Sequence, residues 1–371
     1  MHPKLKLTLD PNLIESEAWN QIQRTLNISC LVKLAIMPDV HAGYDLPIGG
    51  VALIDNYIWP GAVGFDIGCG MCHVKTFQNI EELNLIKEKE QQDLYNLIVE
   101  KIPVGFNSRK KTIYTPEEFP GACAEQKIIQ KVQSKMFKQL GTLGGGNHFI
   151  EIGINEKREI GITVHSGSRN PGHTIGGFYM DLAKSKGEKF GKGIGMFHID
   201  SDYGQSYLKD MKWAENYALQ NRKIILNEVL DCIGIKCNHE IINENHNHAI
   251  VYDNNNILHR KGATPAEKGQ LGIIPGNQRD GTYITRGLGN SEFLNSASHG
   301  AGRCMSRKAA KNNIDLEEFK NQMGNIICRT DNDVLDEAPD AYKDINQIIE
   351  LQKGLLIEVV DYFKPLIVVK G

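Results

Sequence analysis

Glycine placement constrains this chain more than any other feature. Its 37 glycines are concentrated in blocks at 43–50, 61–70, 141–146, 161–177, 262–289 and 300–302. Short apolar and β-branched runs adjoin the blocks and predict strands: "HFIEI" (148–152), "GITVH" (161–165), "HAIVY" (248–252), "TYIT" (282–285) and "PLIVVK" (365–370). Polar amphipathic stretches at roughly 80–101, 117–140, 206–233 and 344–358 predict helices, the second stopped by Gly141. Strands feed Gly-rich loops without alternating regularly with helices, so the expectation is α+β rather than a doubly wound sheet. No repeat or long linker interrupts the chain, and residues 1–371 are expected to form a single domain. Glycine lets backbone N–H groups approach a ligand closely, and so many such loops predict a phosphate-lined cleft.

Composition narrows the partners. A net charge of −3 predicts no general affinity for polyanions, so phosphate binding must come from a local cluster. The first residues, "MHPKLKLTLDPNLIESEAWN", hold no apolar leader, and no run reaches the ~18 apolar residues that span a bilayer. Eight scattered cysteines are too few for a disulfide scaffold, which points to a reducing cytoplasm and no membrane.

"GCGMCH" (68–73) fits the C-x-x-C-H spacing of c-type haem attachment. That reading wants export, and no export signal is visible. The competing reading joins Cys69 to Asp66 in "GFDIGCGM" as metal ligands. Five of the twelve histidines lie in or beside Gly-rich or Asn-rich loops: His41, His148, His165, His246 and His299. Thiolate with imidazole suits zinc or iron, carboxylate with imidazole suits manganese, and a bridging thiolate could serve two ions. In "HNH" (246–248) only one of the two histidines is expected to be needed. Cys72 reads as a small buried residue and His73 as an ordinary strand residue. Cys30, Cys123, Cys232, Cys237, Cys304 and Cys328 read as structural.

Segment 257–311 holds nine Lys/Arg against three acids, a local excess of six in a chain of −3. It is either a solvated basic face or, with its arginines interleaved with glycines, a contact for polyphosphate or a nucleic-acid backbone. Arg169 in "SGSRNPGH" fits the same need. His299 in "SHGAGR" sits beside small residues whose amides could hold phosphate, and a neutral imidazole there can accept a phosphoryl or nucleotidyl group. "GGGNH" is not a P-loop, and "GLGNSE" is too weak for a dinucleotide fingerprint.

With these residues assembled, the chain resembles the RtcB family of GTP-dependent 3′-phosphate RNA ligases. The resemblance runs from "MPDVHAGYDLPIGG" through "GFDIGCGM", "GTLGGGNHFIEI", "VHSGSRNPGH", "RGLGN" and "SHGAGR" to the final "VVKG". It implies β-sheets with peripheral helices around a deep metal-containing cleft. It implies two Mn2+ ions bridged by Cys69, one completed by Asp66 and His148, the other by His165 and His246. His299 would attack GTP and carry GMP. Asn147 and Asn247 would hold phosphate oxygens; Phe149, Glu151, Tyr342 and Lys370 would form the guanine pocket; Ala301 and Gly302 would offer backbone contacts. Arg169, Arg303 and the rest of the basic segment would meet RNA phosphates.

The implied reaction joins RNA 3′-phosphate or 2′,3′-cyclic phosphate ends to 5′-hydroxyl ends, in RNA repair or tRNA splicing, with an accessory activating protein among the partners to consider. "PGNQ" (275–278) departs from the family's Pro-Gly-Ser-Met and puts Asn277 near the nucleotide. Asn245 stands where many relatives have a second histidine and is expected to act behind the ligands. The chain is also short for the family. A two-metal phosphoesterase using the same ligands is the alternative; it needs no covalent guanylate on His299.

Overall fold

The computed structural model describes residues 2–371 apart from 115–118, 120, 122, 192 and 236–239. Cys237 therefore lies outside the described residues. The fold is mixed α+β, as the glycine pattern predicts. A five-stranded sheet takes the order Leu5–Leu7, Leu31–His41, Ile48–Asp55, Asn256–Lys261, Asn247–Val251. An eight-stranded sheet runs Ile242–Asn245, Gly70–Asn79, Glu159–Ser166, Phe149–Ile154, Ile357–Val369, Thr282–Gly287, Leu271–Pro275, with Ile327–Cys328 parallel to Ile357–Val369.

Side-chain alternation in the larger sheet decides which residues face the core and which face the cleft. Ile160, Ile162 and Val164 share a core with Ile150, Ile152 and with Ile225, Leu226 and Val229 of the helix Asp202–Ile233. The intervening residues point to the other face. Phe149 pairs with His165 and Glu151 with Thr163, so this face carries the chemically active side chains.

The 32-residue helix Asp202–Ile233 is the longest element. Ser201 caps it by accepting from the Gly204 amide, and Gly234 ends it at φ 86°. Its first half packs Tyr207, Met211, Trp213 and Tyr217 into a second core with Tyr179 and Phe197. Arg222, fully buried midway, donates to the Gly68 and Ser166 carbonyls and to Asn243 and Asn245 Oδ1 at 2.7–3.0 Å. One guanidinium thus ties the loop before Cys69 to two strands. Asn245, expected to act behind the ligands, is held by this guanidinium one residue before His246.

Several boundaries differ from the sequence pattern. The first expected helix begins at Glu88, the second spans Gln126–Gln139, and the last is Ile345–Glu350, after which the chain extends from Ile357. Gly141 follows the second helix at φ 73°. Five α-helices among the described residues escaped the pattern: Ser16–Leu26, Pro60–Val63, Arg169–Lys186, Arg307–Asn313 and Leu316–Met323. Arg169–Lys186 is hidden by Pro171, Gly172, Gly176 and Gly177, all of low helix propensity. Packing explains the glycines: a Cβ at Gly176 would stand 2.6 Å from the Gly64 carbonyl oxygen and 3.0 Å from Phe65 Cα. No helix among the described residues is long and apolar enough to cross a membrane.

Candidate active site

Residues from both sheets line a cleft of about 450 Å³. Asp66 and Cys69 lie on the loop feeding strand Gly70–Asn79, His148 immediately precedes Phe149–Ile154, and His165 is near the end of Glu159–Ser166. His246 occupies the break between Ile242–Asn245 and Asn247–Val251. Strand pairing of Gly70 with Asn245 and Ser166, and of Met71 and Phe149 with His165, brings these ends together.

Two triads result, Asp66/Cys69/His148 and Cys69/His165/His246, each with its ligand atoms within 4.8 Å of one another. Cys69 belongs to both. Its Sγ lies 3.5 Å from His148 Nε2 and 3.3 Å from His165 Nε2. Nδ1 of His148 faces the Leu143 carbonyl at 3.0 Å and Nδ1 of His165 the Asn147 carbonyl at 3.1 Å. A carbonyl only accepts, so each ring carries its proton on Nδ1 and turns the Nε2 lone pair towards Cys69. Burial holds His165 and His246 well below the usual imidazole pKa. Burial opposes ionisation of Asp66, yet His148, Cys69 and the Arg169 charge together outweigh it and lower its pKa. Burial, with Asp66 alongside, pushes the Cys69 thiol well up. Convergent lone pairs around a buried sulfur repel one another unless a cation sits among them, so the donor set fits metal ions.

Next to this cluster the His299 ring lies 4.8 Å from that of His246. His299 follows strand Ser296–Ser298, and its Nδ1 lies 2.7 Å from Oδ2 of Asp39, a fully buried carboxylate on strand Leu31–His41. The same oxygen accepts from the His299 amide at 3.2 Å. The carboxylate fixes the proton on Nδ1 and leaves Nε2 as a nucleophilic lone pair. His41 lies beside this pair, with burial lowering its pKa to about 4.

The far side of the cleft is organised by Glu337, buried and five residues before Tyr342. Lys370 Nζ and the Tyr342 hydroxyl both donate to its Oε2, and Arg303 and Arg307 reach its Oε1. Burial would raise its pKa, but Lys370 and Arg307 outweigh that and hold it at about 2. The Arg303 guanidinium lies 5.2 Å from the Tyr342 ring centre. Glu151 is buried nearby with Oε1 lacking a hydrogen bond, and burial raises its pKa to about 8.

The remaining expected residues divide by position. Asn147, Phe149, Asn247, Asn277, Ala301 and Gly302 all line the cleft. Asn247 donates to the Asp66 carbonyl at 3.1 Å and accepts from the Gly262 amide at 2.7 Å, clamping the ligand loop. Asn277 donates to Asp280 at 2.7 Å, while its Oδ1 receives the amides of Arg279 and Asp280. His148 and Arg169 sit behind the lining. Arg169 donates to the Gly105 carbonyl at 3.1 Å.

The basic segment is not one solvated face. Arg260 is buried and bonded to Ser296 and His248, Lys261 is buried on the Gly61 carbonyl, and Arg279 pairs with Asp280. His248, bonded to Arg260 in the sheet, stays out of the cleft, and His246 is the one of the pair that enters it. Cys72 is fully buried; His73 is buried with Nδ1 on Thr163. Among the expected structural cysteines, Cys304 is exposed and Cys123 buried. Asp39, Arg222 and Glu337 escaped the sequence reading, and Lys261 and Arg307 entered it only as members of the basic segment. Only the position of Glu337 just before "APDAYKD" and of Asp39 in "MPDVH" offered a signal.

Comparison with known proteins identifies the family. The profile of the family described as "tRNA-splicing ligase RtcB" matches residues 21–129 and 119–371. The RNA-splicing ligase RtcB of Escherichia coli K12 is 34% identical over 393 residues, covering 96% of this chain and 95% of the relative. The RNA-splicing ligase RtcB homolog 1 of Entamoeba dispar is 30% identical over 94% of this chain and 82% of its own length. The tRNA-splicing ligase RtcB of Pyrobaculum aerophilum is 28% identical over 94% and 91% respectively. Matched along nearly its whole length, this chain belongs to the RtcB family of RNA ligases.

Proposed function

We propose that this RNA ligase joins RNA ends bearing a 3′-phosphate or 2′,3′-cyclic phosphate to ends bearing a 5′-hydroxyl, using GTP and two manganese ions, in RNA repair or tRNA splicing. The observation that carries the reading is the buried Asp39 carboxylate on His299 Nδ1 beside the Cys69 cluster. A phosphoesterase needs the cluster but has no use for a second, oriented imidazole nucleophile.

Asp66, Cys69 and His148 would hold one ion, and Cys69, His165 and His246 the other. When bound, divalent cations supply charge neutralisation of the triphosphate and of the leaving pyrophosphate. His299 Nε2 attacks the α-phosphorus of GTP, forming an N–P bond as the bond to pyrophosphate breaks. A 3′-phosphate oxygen of the RNA then attacks that phosphorus, which frees His299 and gives an RNA-(3′)pp(5′)G end. The 5′-hydroxyl attacks the 3′-phosphorus, loses its proton and expels GMP. Cyclic phosphate ends are hydrolysed to 3′-phosphate first.

Asp39 keeps His299 in the tautomer that the first step needs. Phe149, Glu151, Tyr342 and Lys370 form the guanine pocket, with Glu337 holding the last two in place and Asn277 at its edge. Asn147 and Asn247, with the backbone of Ala301 and Gly302, contact phosphate; Arg303 adds a cation to the cleft beside Tyr342, and Arg169, behind the lining, acts on RNA phosphate only through the charge it holds near Asp66. We further propose that residues 1–371 act as one ligase domain in the cytoplasm, with an accessory activator as a candidate partner.

Incubation with α-labelled GTP and Mn2+ tests the reading. An acid-labile, alkali-stable protein label is expected. His299→Ala abolishes it without loss of metal, and Asp39→Asn slows it by on the order of 10²–10⁴-fold. Metal-loaded protein that binds GTP without any label would instead favour the phosphoesterase.

A further inference from the structure

Beside Asp66, three rings and two ammonium groups gather without any role in the chemistry above. Tyr44 and Phe65 both line the cleft, with ring centres 5.4 Å apart in an edge-on contact. Phe65 stacks in turn on His173, 4.9 Å away and 20° from parallel. Tyr44 is 45% exposed, His173 is exposed and Phe65 half-buried, so the rings are open to an incoming molecule. Their positions are fixed from behind, since Gly176 lets the helix Arg169–Lys186 press directly on the backbone of Gly64 and Phe65.

Cationic groups surround the same rings. Lys184 Nζ lies 3.0 Å from the Tyr44 hydroxyl and 4.8 Å from its ring centre. Lys261 Nζ is 6.0 Å from the same ring. Lys261 is only 6% exposed and lines the cleft, yet among the described residues its ammonium, with three donors, has one hydrogen-bond acceptor, the Gly61 carbonyl at 3.0 Å, while the Asp45 carboxylate acts on it by charge alone. A buried ammonium with spare donors facing a cleft calls for an anion. Open aromatic faces next to such an ammonium match an unpaired nucleotide, with a base to stack and a phosphate to bind.

We propose that Tyr44, Phe65 and His173 form a stacking platform for the terminal base of the RNA strand that carries the 3′-phosphate, with Lys261 on its phosphate backbone. The strand assignment rests on the ligase chemistry proposed above. GMP passes from His299 to the 3′-phosphate, so that phosphate must lie by His299 and the Asp66/Cys69 loop. Phe65 is the residue next to Asp66, which places the attached nucleoside over the platform. Guanine would occupy the part of the cleft lined by Glu151 and Tyr342. A stacking surface reads no base edge, so the platform accepts any of the four bases.

Binding of fluorescent single-stranded RNA ending in a 3′-phosphate, followed by anisotropy, tests this without requiring ligation. The same strand with an abasic 3′-terminal nucleotide, and a 5′-hydroxyl strand with an abasic 5′ terminus, complete the set. Removing the 3′-terminal base, or substituting Tyr44→Ala, is expected to weaken binding roughly 5- to 100-fold. Tyr44→Phe, which keeps the ring, restores it. On the abasic 3′ strand Tyr44→Ala costs nothing further. Unchanged affinity in Tyr44→Ala, an equal loss on normal and abasic strands, or a base effect confined to the 5′-hydroxyl strand would overturn the proposal. GTP labelling, measured in parallel without RNA, reports separately on the His299 chemistry.

Discussion

Asp39 and Glu337 show how much of this site depends on buried carboxylates that touch no expected reacting atom. Asp39 sets the proton of His299, and Glu337 gathers Lys370, Tyr342 and two arginines. Glu151 is different, because it is buried with a free oxygen and takes up a proton near pH 8. In the guanine pocket proposed above, the base would present N–H donors to this carboxyl, so the ionised form is the one expected to bind. GTP affinity should therefore rise about tenfold per pH unit up to about pH 8 and then level off, read by calorimetry at several pH values. Glu151→Gln should abolish that slope. The sign for stability is opposite: the raised pKa favours the native state below the ordinary carboxyl range near 4.5, and that advantage is lost as pH rises through 8. Cys69, Asp66 and the loop histidines were legible in the sequence because ligand chemistry and glycine context mark them locally. Asp39 and Glu337 were not, since their partners lie 260 and 33 residues away.

At the scale of elements, the strands next to glycine blocks were readable because β-branched runs and turn residues are local signals. The helix Arg169–Lys186 was not, since its glycines answer to a loop packed across it rather than to helix propensity. Gly176→Ala makes that dependence measurable. The new methyl would meet backbone atoms of Gly64 and Phe65, which have no side-chain freedom to yield. The expected result is a loss of about 1–3 kcal/mol in denaturant unfolding together with weaker metal retention, because the displaced loop carries Asp66 and Cys69. Normal metal content in a variant equally destabilised would show that the helix supports the fold without positioning the ligands. The basic segment 257–311 carries a similar lesson. Its charge count was plain in the sequence, but Arg260 and Lys261 lie on a central strand of the five-stranded sheet, where burial rather than solvent decides their contacts.

For the whole molecule, the ligand cluster joins strand ends drawn from residues 66–246, so bound ions act as a cross-brace. Free ion at about a hundred times its Kd stabilises the native state by about 2.7 kcal/mol. Exhaustive chelation should lower the thermal midpoint by a few degrees, and Cys69→Ala should remove the response to added Mn2+. An identical midpoint with and without metal would remove the cluster from consideration as a metal centre. The α+β class was readable because periodicity identifies elements, whereas the pairing order of two sheets depends on contacts hundreds of residues apart. That order has a consequence during synthesis. Strand Ile357–Val369 lies between Phe149–Ile154 and Thr282–Gly287, both made well before it. Until Ile357–Val369 has left the ribosome, those two earlier strands present open hydrogen-bonding edges to anything nearby, including other nascent chains. The period of greatest aggregation risk is therefore expected after the Asp66/Cys69 cluster and His299 are made and before Ile357–Val369 is. Chaperones that shield exposed strand edges would be most needed then.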